Sequence, residues 1–435
     1  YNATWASLDT RPIPTWYDDA KLGIFIHWGV FSVPSFGHSP AWGWYYWKIS
    51  KSPAWQDYMA KNFKPKFSYA DFAKDFSTEF FNPDDWADLF AGGVGISHHE
   101  GYCNYPTNVS SWNWNSRDVG PHRDLVGELA HSIKNRTSMH FGLYHSLYEW
   151  FNPLYLEDKE NKFQTNRFVA EKTLPELYEL VKAYEPELIW SDGQWEAPSW
   201  YWNSTVFLQW LYNESPVKST VVTNDRWGSD TLCKHGGFLT CNDRYNPKTH
   251  VPDKKWENAM TLNKGSWSWR RDTDISQFLT TMEMLSTFIE TISCGGNMLM
   301  NVGPTKEGTI SPIFGVSYFG AWLSINGEAV YGSKPFHVQF ESRKETVVVE
   351  EPTPADGLTI YAFVMDWPAD GILLLNAPMN ATSTATITML GMWGGCHRRI
   401  FTSLQPTGIA IEMPLVPISK LPHHLIWVLR LVGFQ

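Results

Sequence analysis

The sequence predicts an α/β fold: a (β/α)8-like (TIM-type) barrel over residues 1–335, followed by a C-terminal antiparallel β-sandwich over 336–435. Two textures predict it. Up to about residue 335, short apolar strands alternate with helical stretches, the pattern of a parallel sheet built from βα units. Beyond it, short strands are separated by Pro, Gly, Asp and Asn turns with no helix-length periodicity between them, the pattern of a small sandwich. The 435 residues accommodate both units.

Residues 21–27 read as a strand with a polar residue, His27, at its C-terminal end, and 138–146 as another, after a helical stretch at 124–135. Over 168–184, Leu174, Leu177, Val181 and Tyr184 recur at helical spacing with charges between them. Residues 187–193 form a buried-type strand ending in Asp192 and Gly193. A strand at 220–223, an amphipathic helix at 275–292 and a strand at 298–302 complete the βα series. The sandwich strands are 346–349, 358–364, 371–375, 385–390, 408–412 and 425–431.

Composition excludes two classes of partner. A net charge of -10 without an offsetting basic block argues against nucleic acid. No apolar stretch, 371–375 and 425–428 among them, is long enough to span a bilayer. Tryptophan, by contrast, is abundant: 24 residues, with aromatics at 16%. Its flat apolar face and single N–H donor suit sugar rings, so the excess points to carbohydrate.

The opening Tyr1-Asn2-Ala3-Thr4 lacks Met and an apolar leader, which leads to the expectation of a removed signal segment. N-x-[ST] sequons at Asn2, Asn108, Asn135, Asn203, Asn213 and Asn380 favour the secretory route. Of the five cysteines, Cys233 and Cys241 are expected to bridge across a short loop, and the odd count leaves at least one free thiol. None has zinc-type spacing, and no metal or cofactor is expected.

In a parallel barrel, reactive groups sit at the C-terminal ends of strands. Those ends supply His27, the His98-His99-Glu100 run, Tyr144 and His145, Asp192, Asn224-Asp225-Arg226 and Asn301. Asp192 is the sharpest member, leaving its strand at the barrel mouth with Gly193 turning the chain away; a strand-end Asp can equally cap the next helix. Adjacent His98 and His99 argue against a shared metal ion, because neighbours on a strand point to opposite faces. Neutral imidazoles binding sugar hydroxyls account for the same residues.

The blocks Phe25-Ile26-His27-Trp28-Gly29-Val30-Phe31-Ser32-Val33-Pro34, His98-His99-Glu100-Gly101, Ser111-Trp112-Asn113-Trp114-Asn115, Gly142-Leu143-Tyr144-His145-Ser146, Trp190-Ser191-Asp192-Gly193, Asn224-Asp225-Arg226-Trp227 and Asn301-Val302-Gly303-Pro304 run in order along the chain. In them it resembles the animal-type α-L-fucosidases of glycoside hydrolase family 29. The resemblance implies a (β/α) barrel with a C-terminal β-sandwich, a lysosomal or secreted glycoprotein, a homo-oligomer (dimer or tetramer) and a fucosylated glycan substrate. It also implies a retaining mechanism with Asp192 as nucleophile. Such a mechanism needs a second carboxyl group about 5–5.5 Å away as acid/base. Asp243 matches the position of the acid in vertebrate-type enzymes and is the first candidate; Glu257, matching that of bacterial relatives, is the second. His27, His98, His99, Tyr144, His145, Trp42 and Arg226 carry over as the fucose pocket, with Trp267 and Trp269 as further candidates to close it.

Two departures from the family pattern bear on activity. Where the family has Gly-Ser-Glu-Trp, this chain has Gly37-His38-Ser39-Pro40-Ala41-Trp42, with Ala41 near the Glu position. The strand before His98, at 91–97, is about four residues short and carries three glycines. These departures motivate an alternative, a catalytically impaired fucose-binding (lectin-like) protein on the same scaffold; a metal-dependent hydrolase ranks third.

Overall fold

The computed structural model describes residues 1–89, 92–109, 114–248, 250–312, 316–340, 346–351, 359–392, 401–403, 408–415, 417, 419 and 421–434. Ala91, the block at 111–113, Leu358 and Cys396 of the sequence reading lie outside them.

Seven parallel strands form the N-terminal sheet: β1 (Leu22–Ile26), β2 (Gly92–Ser97), β3 (Gly142–Ser146), β4 (Leu188–Asp192), β5 (Val222–Thr223), β6 (Trp256–Thr261) and β7 (Gly296–Val302). Their spatial order is β5-β4-β3-β2-β1-β7-β6. The gap between β5 and β6 is filled by an irregular stave at 237–240. Gly237 and Phe238 donate to Thr223 O at 2.9 and 3.1 Å, Leu239 donates to Lys255 O at 2.9 Å, and Glu257 donates back to Leu239 O at 2.9 Å. The ring of backbone hydrogen bonds thus closes with seven strands and one loop, a barrel without a free edge. Sequence reading missed β6, whose Trp-Glu-Asn-Ala-Met-Thr mixes polar and apolar residues without strict alternation.

The barrel interior is packed by inward residues of successive strands, Phe25, Tyr144, Trp190, Val222, Ala259 and Leu299, joined by Tyr17 and Phe238. Around it lie helices whose ends follow the expected signals. Asp124 caps Leu125–Arg136 by accepting from Gly127 N at 2.8 Å. Thr280 and Glu283 form a capping box at the start of Thr281–Ser293, satisfying two otherwise unpaired backbone donors. The helix expected from 275 therefore begins at Thr281, after a single 3-10 turn, Ile275–Gln277. The short β2 still pairs on both sides, with β1 and, across a register shift between Gly95 and Ser97, with β3.

Beyond the barrel, helix Val316–Asn326, which the sequence reading did not pick out, leads into two antiparallel sheets. Five strands, β8 (Lys334–Phe340), β9 (Thr346–Glu351), β10 (Thr359–Val364), β12 (Ala381–Met389) and β15 (Trp427–Phe434), lie in the order β12-β15-β10-β9-β8. The other three, β11 (Ile372–Leu375), β13 (Phe401–Ser403) and β14 (Ile409–Glu412), lie in the order β11-β14-β13. Val348, Ile360, Leu375, Ile411 and Leu431 pack between them. Two of these strands, β8 and β13, were not foreseen. Trp322 joins the two units, donating its indole N–H to Ile426 O at 2.8 Å.

Candidate active site

The C-terminal ends of the barrel strands open onto a pocket of about 360 Å³. Period-2 alternation explains its floor. In β4, Trp190 and Asp192 share the inward face, while Ser191 turns outward and is gripped by Asn224, which accepts from its N–H at 3.1 Å and donates to its carbonyl at 2.8 Å. Gly193 then adopts φ 85°, and a Cβ there would stand 2.7 Å from the Tyr148 ring, so only glycine makes this turn.

Asp192 is buried, and burial alone would raise its pKa. Three neighbours outweigh that and hold the carboxyl below its ordinary range: His99, with Nε2 3.5 Å from Oδ2; Arg226, with Nη1 3.1 Å from Oδ1; and the Tyr144 hydroxyl, which donates to Oδ2 at 2.8 Å. The result is a desolvated carboxylate kept ionised. The same guanidinium donates from Nη2 to Asp243 Oδ1 at 2.8 Å, from Nε to Thr240 at 2.9 Å, and lies 4.5 Å over the Trp190 ring. Asp243 is the more open of the two carboxylates, its side chain 45% exposed.

The loop that presents Asp243 is fixed from below. The Cys233–Cys241 disulfide closes it, and Asp225 accepts from the backbone N–H of both cysteines and from the Thr240 hydroxyl. Cys103 and Cys294 are free and buried.

On the opposite wall the histidines are set by their back-side partners. Asn301 donates to Trp267 O, so its Oδ1 must accept, at 2.6 Å, from His27 Nδ1. That tautomer leaves His27 Nε2 as an acceptor, and burial lowers the ring to about 4, keeping it neutral. His98 and His99 follow the last residue of β2, so the opposite-face argument does not apply. Both rings line the pocket, with centroids 4.3 Å apart. Glu100, which sequence reading left without a role, lies 3.2 Å from His98 Nδ1, and burial pushes its carboxyl up to about 8. Ser146, which donates to Tyr148 O, accepts from His99 Nδ1 at 2.6 Å. Trp42 stands edge-on to His99, and Trp267 stands over His27. Ala41 is buried, with its N–H on Ser268 Oγ at 3.1 Å.

Three expectations are corrected. His145 does not reach the pocket: with Tyr144 inward, alternation turns it to the opposite face of β3, where Nε2 meets Glu176 at 3.0 Å beside Lys172. Glu257 is not at the mouth. As the second residue of β6 it lies at the wrong end of the barrel, 2% exposed, accepting from Trp190 Nε1 at 2.9 Å and from the Tyr17 hydroxyl at 2.8 Å. Trp269 lines a separate crevice with Gly303. Conversely, Trp190, Gln194 and Trp195 line the pocket and were not foreseen; the Trp190-x-Asp192 spacing was the available signal for the first. Among the described residues no group of three His, Cys, Asp or Glu side chains could hold a metal ion.

Residues 1–328 match the family model described as Alpha-L-fucosidase, and 346–432 that of the Alpha-L-fucosidase C-terminal domain. The chain is 50% identical over 445 residues to the tissue alpha-L-fucosidase of Bos taurus, covering 100% of this chain and 92% of that one. To the plasma alpha-L-fucosidase of Homo sapiens it is 48% identical over 444 residues, again with 100% and 92% coverage. The structure superposes on the Thermotoga maritima alpha-fucosidase in complex with fucose with a TM-score of 0.79, at 26% identity and covering 99% of this chain and 100% of that one.

Proposed function

The chain belongs to the α-L-fucosidase family, and on that premise we propose that it hydrolyses terminal α-L-fucosides of glycoproteins and glycolipids by a retaining mechanism, with Asp192 as nucleophile and Asp243 as acid/base. The observation that carries this reading is the single guanidinium of Arg226 shared between Asp192 and Asp243.

In the first step the Asp192 carboxylate bonds to C1 of fucose as Asp243 delivers its proton to the departing glycosidic oxygen. Asp192 loses its charge on forming the ester, and Asp243 gains one. Arg226 therefore faces one negative charge before and after the step, and the charge moves around a fixed cation in a partly desolvated site. In the second step Asp243 takes a proton from water, whose oxygen bonds to C1 and releases Asp192. Neutral His27 accepts from a sugar hydroxyl, His98 and His99 supply further polar edges, and the Trp42, Trp267 and Phe25 rings meet the apolar C–H faces and the methyl group. Ala41 contributes no carboxylate, so recognition falls to these groups.

We also propose that residues 1–335 and 336–435 are the two domains, that the protein works as a homo-oligomer, and that it is lysosomal or secreted, with N-glycans on the exposed sequons Asn2, Asn108, Asn135 and Asn380. The test of the catalytic reading is hydrolysis of 4-nitrophenyl α-L-fucoside. Wild type turns it over, and Asp192→Ala loses about a thousandfold or more in kcat; equal activity of that variant overturns the reading.

A further inference from the structure

Trp195 reaches the pocket on the turn that follows the nucleophile. Gly193 takes the chain out of β4, and the 3-10 turn Gln194–Glu196 comes next. Glu196 fastens that turn by accepting from the Tyr155 hydroxyl at 2.7 Å and from Lys159. Three rings brace the indole: Trp42 lies nearly parallel to it at 6.2 Å, and His99 and Tyr148 stand edge-on at 5.3 and 5.9 Å. Trp195 is nevertheless 42% exposed. A large aromatic side chain held in place but left open to solvent forgoes burial energy, and this one is set in the mouth of a pocket.

Among the described residues lining the pocket, Trp195, Asn242 and Asp243 are the exposed ones, whereas Trp42 and Trp267 are half-buried and Phe25 is buried. The rim therefore has an aromatic side and an acid side. Asp192 lies between them, with His99 linking it to Trp195 and Arg226 linking it to Asp243. In the retaining mechanism fucose fills the floor and its glycosidic oxygen lies at Asp243, so the group it is cut from leaves through the rim that Asp243 and Trp195 share.

We propose that Trp195 is the platform for the leaving-group sugar: a pyranose ring lays its C–H face on the exposed indole while its glycosidic oxygen faces Asp243. This role rests on the retaining fucosidase reading and adds the substrate class to it, fucosides of a pyranose in preference to those of a small alcohol. A galactoside presents contiguous C–H groups on one face of its ring, and the indole offers a broad, flat apolar surface to receive them. Binding energy gathered there, away from the reacting carbon, serves to align C1 with Asp192.

Methyl α-L-fucoside and the α-1,2-linked fucosyl galactose disaccharide test this, because both expel an alkoxide that needs a proton and only the second carries a ring on the leaving side. The quantity to measure, on the full chain, is the ratio of kcat/KM for the disaccharide to kcat/KM for the methyl fucoside, in which the fraction of active protein cancels. Relative to wild type, Trp195→Ala should lower this ratio about tenfold. Trp195→Phe, which keeps an aromatic face, should retain most of it. Equal losses on the two substrates in Trp195→Ala, or a ratio in Trp195→Phe as low as in Trp195→Ala, overturns the platform and leaves the fucosidase reading standing. Wild-type protein that cleaves neither substrate overturns both.

Discussion

The Tyr144 hydroxyl donates to Asp192 Oδ2 at 2.8 Å, and it does so across the β3–β4 pair, in which Tyr144 is registered with Trp190 and Ser146 with Asp192. Position and ionisation of the nucleophile thus come from the same backbone register. Tyr144→Phe removes one of the donors that favour the carboxylate. The pKa of Asp192 should rise, and the acid limb of the kcat/KM profile should move to higher pH, with a loss of about ten- to a hundredfold at the acid end. An acid limb that stays in place in the variant would contradict this role.

Asp243 should reveal itself through the leaving group. Asp243→Ala cannot protonate a departing alkoxide, so it should lose far more on a fucosyl disaccharide than on α-L-fucosyl fluoride, whose leaving group needs little proton assistance. The expected difference between the two losses is about a hundredfold or more. Equal losses would move the acid/base role elsewhere.

Glu257 gives a pH signature in stability. Burial raises its carboxyl from the ordinary 4.5 to about 7, so the folded state binds this proton more tightly than the unfolded chain does. The contribution is fully present below about pH 4.5 and is lost as pH rises through about 7, amounting to roughly 3 kcal/mol. Glu257→Gln mimics the neutral form. Urea unfolding from pH 4.5 to 7.5 should show a shallower decline in that variant than in wild type; parallel curves would mean that the group ionises freely.

The Cys233–Cys241 bridge precedes Asp243 by two residues and spans a separation of eight. A loop that short restrains the unfolded chain by about 2–3 kcal/mol in the chain-entropy model. Replacing both cysteines with serine should lower stability by about that amount, and should lower kcat more than it raises KM for an aryl fucoside, because the loop orients the acid. A change in KM alone would mean that the bridge shapes binding and leaves the acid untouched.

Much of the site was legible because strand ends are marked by apolar runs. The Leu188-Ile189-Trp190 run placed Asp192 at the mouth, and the Asn224-Asp225-Arg226 run placed Arg226 beside it. What failed was alternation left unapplied or a strand left unseen. Tyr144 and His145 are neighbours in β3, so only one can face inward, and nothing local to the strand says which; the Glu176–Lys172 pair on the helix behind decides it. Glu257 entered as a match to the acid of bacterial relatives, and with β6 unrecognised nothing in the sequence opposed it; a residue near the start of a strand lies at the barrel end away from the chemistry. For His98 and His99 the error ran the other way, alternation being applied where no strand exists, since β2 stops at Ser97; both rings line the pocket. The closing stave at 237–240 carries no strand-like pattern, and only the hydrogen bonds of Thr223, Lys255 and Glu257 reveal it.

The most direct test is covalent trapping. Incubation with 2-deoxy-2-fluoro-α-L-fucosyl fluoride, followed by proteolysis and mass spectrometry, should find the fluorosugar esterified to Asp192. A label on another carboxylate, or inactivation with Asp192 unmodified, would contradict the account.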